Sequence, residues 1–300
     1  DERMAVRHVL MIAPCGFCSN PETAGDNAFQ QQGIIDPLAH QSAALAEFNA
    51  AVVRPESAGI RVSRFQPPDE QTPDALFPNN WFSTHEDGTL VLYPMKAVNR
   101  RLERRSEFIA WLQTNYPGTI DLRQFEQQGM FLEGTGSLVL DRMNRLAFSA
   151  LSDRTHPALA ERWAKQMGYC LFTFKTKDEQ ERPYYHTNVV LSVGEHWAIW
   201  CPDAMPFEPE KKELEHLLRQ LGKEQITITR KQLSAFCANV LELENESGSK
   251  LLAVSSTAWD AFTPQQQHQL RRYCTPLIFE IPVIEKTGGG GIRCMLAELA

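Results

Sequence analysis

The sequence predicts an α/β fold assembled from ββαβ-like modules, and three observations carry that expectation. Strand-like runs alternate with helical stretches along the whole chain, two or three strands to each helix. The rhythm returns about every 50 residues, although no repeat is visible in the residues themselves. With 43% hydrophobic and only 22% charged residues, a chain of 300 can bury a large core. One large domain or two fused halves would satisfy this, and we take residues 1–300 as a single domain.

The first unit is a strand over Val6–Ile12, a helix over Gln41–Val53 and a strand over Arg61–Phe65. Pro73–His85 is too rich in proline, asparagine and aromatics for a regular element, and Asp87-Gly88 turns the chain into a strand at Thr89–Tyr93. Those turn residues suit a pocket wall, or an asparagine-rich turn capping its own backbone. Asn99–Tyr116 reads as one helix whose four arginines are mostly solvated. Strands follow at Leu138–Leu140, Arg145–Leu151 and Tyr169–Phe174, with a helix over Pro157–Met167. Tyr184–Val193 reads as a strand that sets His186 and Asn188 on one face. The remainder repeats the pattern: strands at Trp197–Trp200, Ile226–Thr229, Val240–Leu243, Leu251–Val254 and Leu277–Ile281, helices at Glu208–Leu221, Gln232–Phe236 and Pro264–Tyr273.

Composition excludes several classes. The formal charge of −7 disfavours a nucleic-acid partner. No apolar run of about 18 residues and no basic-then-apolar leader is present, so neither membrane span nor signal peptide is expected, and the location expected is cytoplasmic. Seven scattered cysteines, an odd number, suggest free thiols rather than a disulfide framework. The Cys15-Gly16-Phe17-Cys18 pair has no second pair to complete a zinc site.

The chemistry concentrates near the end of the chain, in Gly288-Gly289-Gly290-Gly291-Ile292-Arg293-Cys294-Met295. Four glycines cost backbone entropy and permit positive φ and close approach to a ligand. Cys294 reads as a nucleophile on a glycine turn, although a glycine linker before a buried cysteine accounts for the same residues. Glu133, beside the bend Gly134-Thr135-Gly136, could point inward or sit on a bulged hairpin. His186 could be an acid/base or a hydrogen-bonded structural residue. Together the three would supply a nucleophile, an acid/base and an orienting carboxylate.

Phe77-Pro78-Asn79-Asn80-Trp81, Leu132-Glu133-Gly134-Thr135-Gly136, Leu151-Ser152-Asp153-Arg154-Thr155, His186-Thr187-Asn188 and the glycine–cysteine ending occur in the order seen in the guanidino-group-modifying superfamily. That superfamily includes arginine deiminases, dimethylarginine hydrolases and amidinotransferases. The resemblance covers nearly the whole chain. It is strongest to citrulline-utilisation hydrolases, in residues 20–24, in Phe77–His85 and in Arg293-Cys294-Met295. It implies a five-bladed α/β propeller of ββαβ modules, the pentein fold, with Cys294 as nucleophile, His186 as general acid/base and Glu133 as the third catalytic residue. It implies Arg154, and less strongly Arg101, as the grip on a substrate carboxylate.

The departures from the resemblance matter most. Deiminases clamp the guanidinium with two aspartates where this chain has Asn80 and Asn188. An amide can donate to a ureido oxygen and accept from its N–H groups, so the pocket suits citrulline better than arginine. The expected reaction is hydrolysis of citrulline to ornithine, ammonia and carbon dioxide through a covalent thiol intermediate, with no metal or organic cofactor. The alternatives are a deiminase-type hydrolase of arginine, methylarginine or agmatine, an amidinotransferase, and a non-catalytic amino-acid binder. The expected partner is a small amino acid, and a homodimer is left open.

Overall fold

The computed structural model describes residues 3–33 and 36–300. Its strands form five three-stranded sheets. Four are consecutive in the chain: β3 (Phe82–Thr84), β4 (Thr89–Leu92) and β5 (Gly118–Asp121); β6 (Val139–Asp141), β7 (Leu146–Ala150) and β8 (Cys170–Phe174). Next come β9 (Leu191–Val193), β10 (Trp197–Trp200) and β11 (Glu224–Thr227), then β12 (Leu241–Glu244), β13 (Lys250–Ser255) and β14 (Thr275–Phe279). The fifth is split: β1 (His8–Ile12) and β2 (Arg61–Phe65) are completed by β15 (Ala297–Glu298), which pairs antiparallel with β1.

Every module repeats one plan. A short first strand pairs antiparallel with the middle strand, which pairs parallel with the third across a helical crossover. Middle strands are covered on both faces and read as apolar runs; in Trp197-Ala198-Ile199 none is exposed. First strands of neighbouring modules lie side by side, β6 against β9, β9 against β12 and β15 against β3, so they gather around one axis. The architecture is the expected five-bladed α/β propeller.

Several elements differ from expectation for physical reasons. The first helix runs Pro37–Ser57, longer at both ends, because the Asp36 carboxylate caps Leu38 and Ala39 N–H groups at 3.0 and 3.2 Å ahead of a proline. The basic helix breaks into Val98–Arg101 and Ser106–Asn115. Its arginines are not mostly solvated: Arg100 is buried against Glu103, Arg104 bonds the Tyr93 carbonyl and Glu126, and Arg105 reaches Asp69. Strands β3, β5 and β15 are too short for alternation to reveal.

His186 and Asn188 are not on a strand. Thr187–Val189 form a 3₁₀ turn and β9 begins only at Leu191. Thr187 causes this, because its hydroxyl donates to the Ser137 carbonyl at 2.5 Å and accepts from the Ala150 N–H at 2.8 Å. Among the described residues no helix is long and apolar enough to cross a membrane.

Candidate active site

Each module carries a short turn just before its first strand, at the axial end of the blade. These are Pro78–Asn80, Gly134–Ser137, Thr187–Val189, the Phe236–Asn239 turn and Ile292–Met295. The propeller therefore brings Asn80, Glu133, His186, Asn188, Asn239 and Cys294 together from five separate stretches of chain.

The glycine run does more than bend. Helix Pro282–Gly288 ends where Gly289 takes φ 67°, and the chain re-enters a helical turn at Ile292 that holds Cys294. The thiol is 3% exposed. Asn239 Nδ2 lies 3.4 Å and Asn188 Nδ2 3.7 Å from its sulfur. Burial raises the thiol above its ordinary range, against the opposing pull of the Asn239 bond, the Arg293 charge and the Asn188 bond.

His186 Nε2 stands 2.8 Å from Glu133 Oε1, and both are buried. Burial pushes the Glu133 carboxyl up, but the His186 bond and the Arg154 and Arg100 charges outweigh it and hold the group at about 2. Burial also governs His186, and with Arg154 and Arg100 it outweighs Glu133 and brings the imidazole down to about 4. A carboxylate only accepts, so Nε2 carries the proton. Nδ1, buried without a partner, keeps its lone pair. Glu133 Oε2 also accepts the Lys96 N–H at 2.9 Å.

Gly136 lets these groups meet. A Cβ there would stand 2.5 Å from Asn80 Nδ2 and 2.7 Å from His186 Nδ1. Asn80 Oδ1 accepts from Arg100 at 2.6 Å and its Nδ2 donates to Asn79 at 3.0 Å. Arg154 approaches Glu133 at 3.6 Å, covers the Tyr185 ring at 4.7 Å and pairs with Asp26. Arg101 is not brought to this cluster; its guanidinium donates to the Met95 and Lys96 carbonyls and faces Glu126.

Segment 20–33 covers the cluster. Asn20 bonds Asp74 and Asn99, Asn27 reaches the Gly288 and Gly289 carbonyls, and Phe29 lies against Tyr184, Tyr185 and Phe236.

Four residues here were not picked out from the sequence. Arg100, not Arg101, contacts Asn80. Asp74 is buried with Oδ1 unpartnered, and burial raises its carboxyl against Arg100. Asp26 holds Arg154. Asn239 had one available signal, a polar residue just before a buried strand, as with Asn80 and Asn188.

The family model described as N,N dimethylarginine dimethylhydrolase, eukaryotic, matches residues 13–300. The chain belongs to this family. It is thereby a hydrolase of carbon–nitrogen bonds other than peptide bonds, within the guanidino-modifying superfamily. No curated protein gives a significant match.

Three solved structures of similar fold are distant from this chain in sequence. The N-terminal domain of ArgZ, covalently bound to a reaction intermediate, is 16% identical, with TM-score 0.75 over 98% of this chain and 97% of that one. Other structures of ArgZ describe it as an arginine dihydrolase of cyanobacteria. AgrE with ornithine and NAD⁺ is 16% identical, with TM-score 0.75, and this chain spans 39% of its length. A dimethylarginine dimethylaminohydrolase adduct with S-methyl-L-thiocitrulline is 16% identical, with TM-score 0.67 over 98% of this chain and all of that one. These likenesses establish the shared fold.

Proposed function

We propose that the protein hydrolyses the ureido group of citrulline, giving ornithine, ammonia and carbon dioxide. The observation that carries this reading is the state of Asn80. Its carbonyl oxygen accepts from Arg100 and one Nδ2–H bonds Asn79, which leaves the second Nδ2–H to donate to a ligand. A guanidinium has no acceptor to meet that donor. A ureido oxygen accepts from it, and as that oxygen gains charge the bond strengthens.

In this reading the Cys294 thiol gives its proton to the free Nδ1 of His186 as its sulfur attacks the ureido carbon, and the C–N bond to the δ-amine then breaks. His186 relays a proton to the departing amine through Nδ1 while Glu133 fixes its tautomer. The carbamoyl thioester that remains takes water, with His186 as base, and the carbamate decomposes to ammonia and carbon dioxide. Asp74 offers its unpartnered Oδ1 to the α-ammonium. Arg154 exchanges Asp26 for the α-carboxylate.

A second reading, arginine as substrate, is favoured by one observation. The Cys294 thiol is raised, and a guanidinium beside it would bring the positive charge that stabilises thiolate. ArgZ, described as an arginine dihydrolase, and AgrE, crystallised with arginine, share the fold.

Product analysis after incubation with citrulline and, separately, arginine decides between them. Ornithine from citrulline, lost in Cys294→Ala, is the expected result. Citrulline accumulating from arginine would overturn the ureido reading, and turnover of neither would shift attention to methylated arginines or to a binder.

A further inference from the structure

Asn239 stands at the fourth axial turn in chain order, between a left-handed Phe236 (φ 64°) and β12, and is 1% exposed. Its backbone N–H bonds the Phe236 carbonyl at 2.9 Å, which closes the turn and aims the side chain at the axis. Side-chain amides are ordinarily ambiguous about which end is nitrogen. Here the Asn188 main-chain carbonyl, 2.9 Å away, resolves the matter, because a carbonyl oxygen only accepts. The atom facing it is therefore Nδ2, and that same nitrogen lies 3.4 Å from Cys294 Sγ.

The Asn188 side chain has no such anchor. Its nitrogen and oxygen lie 3.7 and 4.0 Å from the sulfur. Arg293, the cation adjacent in sequence, is turned to the Leu296 carbonyl and to Glu298. The donor whose orientation toward the nucleophile is set by the fold is thus Asn239.

The other end of the same amide is the second observation. Asn239 Oδ1 is buried and has no hydrogen-bond partner, in a site where an unmet acceptor is costly. A ureido or guanidino group carries N–H donors beside its reacting carbon, and either would meet that acceptor while the carbon lies at the sulfur.

We propose that Asn239 is a further catalytic residue, which holds the Cys294 thiolate through Nδ2–H and positions the substrate by accepting one of its terminal N–H groups at Oδ1. The second half rests on the ureido or guanidino reading; the first does not. Asn239 gives the thiolate a neutral, pre-oriented donor where a cationic partner would repel a guanidinium substrate.

The test separates the two halves. Alkylation of Cys294 by iodoacetamide is followed across pH without substrate, with the labelled cysteine identified by peptide mass spectrometry. Asn239→Ala is expected to slow alkylation about tenfold near pH 8, as befits the loss of one hydrogen bond to a charged group, and to move the rise of the profile to higher pH. Asn239→Asp keeps the shape and removes the donors, so it should slow alkylation further, while Asn239→Ser, with a hydroxyl donor, should recover part of the rate. Thermal melts identify any variant that fails to fold, and the near-isosteric Asn239→Asp then carries the test. Alkylation of Asn239→Ala and Asn239→Asp with the wild-type pH profile would overturn the proposal. With substrate, Asn239→Ala is expected to lower kcat and raise KM together; a fall in kcat alone would overturn the role of Oδ1. Failure of the wild type to turn over citrulline or arginine would count against the substrate reading while leaving the alkylation result to stand by itself.

Discussion

At the scale of single residues, the site depends on where atoms are missing as much as on where they are. Gly136 leaves room for Asn80 Nδ2 and His186 Nδ1, and both would lie within 2.8 Å of a Cβ placed there. Gly136→Ala is therefore expected to push these side chains off their positions and reduce kcat/KM by about 100-fold or more, with a melting temperature close to wild type. Steady-state kinetics beside a thermal melt checks this; a variant with unimpaired kcat/KM would remove Asn80 and His186 Nδ1 from the mechanism. The glutamate next to a glycine bend was legible in the sequence as a candidate, because bends free a carboxylate to turn inward. That Glu133 holds a neutral imidazole was not, since its state is set by burial and by Arg154 and Arg100, which come from distant stretches.

At the scale of elements, the cover formed by segment 20–33 is held by charge. Asp26 pairs with both Arg154 and Lys96, and although burial pushes its carboxyl up, those partners bring it to about 2. A depressed carboxylate contributes fully above its unfolded value, so this hold is present above about pH 4 and is lost as pH falls toward 2. Asp26→Asn should release Arg154 for the substrate, lowering KM for an α-amino-acid substrate several-fold and leaving KM for a decarboxylated analogue unchanged. A rise in KM for both alike would mean that Asp26 serves only to close the cover. Strong patterns foretold the elements well: Pro157–Met167 is the helix its spacing predicts, closed by Gly168 at φ 70°. The broken basic helix escaped notice because its break serves Arg100, whose partners Phe77 and Asn80 are about twenty residues away in sequence.

At the scale of the molecule, neighbouring blades are tied through a fully buried ion pair. Lys223 Nζ lies 2.8 Å from Asp141 and donates to the Gly194 carbonyl at 2.6 Å, joining the third and fourth modules in chain order. Asp141→Asn would strand the lysine charge in the interior and is expected to cost about 3–5 kcal/mol in chemical denaturation at neutral pH. Asp141→Asn combined with Lys223→Met should recover much of that. A loss below about 1 kcal/mol for the single variant would mean that water reaches the pair. Closure of the propeller adds the other constraint, because β15 must return to β1 to complete the first sheet.

By itself the sequence determined the module grammar and the chemical vocabulary of the site, because strand and helix periodicity and glycine placement are local properties of the chain. It also brought out Cys294, His186 and Glu133 as candidates for a nucleophile, an acid/base and an orienting carboxylate. Only the tertiary structure decided which arginine lies beside Asn80, which carboxylate restrains Arg154, and that Asn239 faces the sulfur. The reason is geometric: five turns that are remote in sequence converge on one axis, and protonation and donor direction follow from what each group meets there.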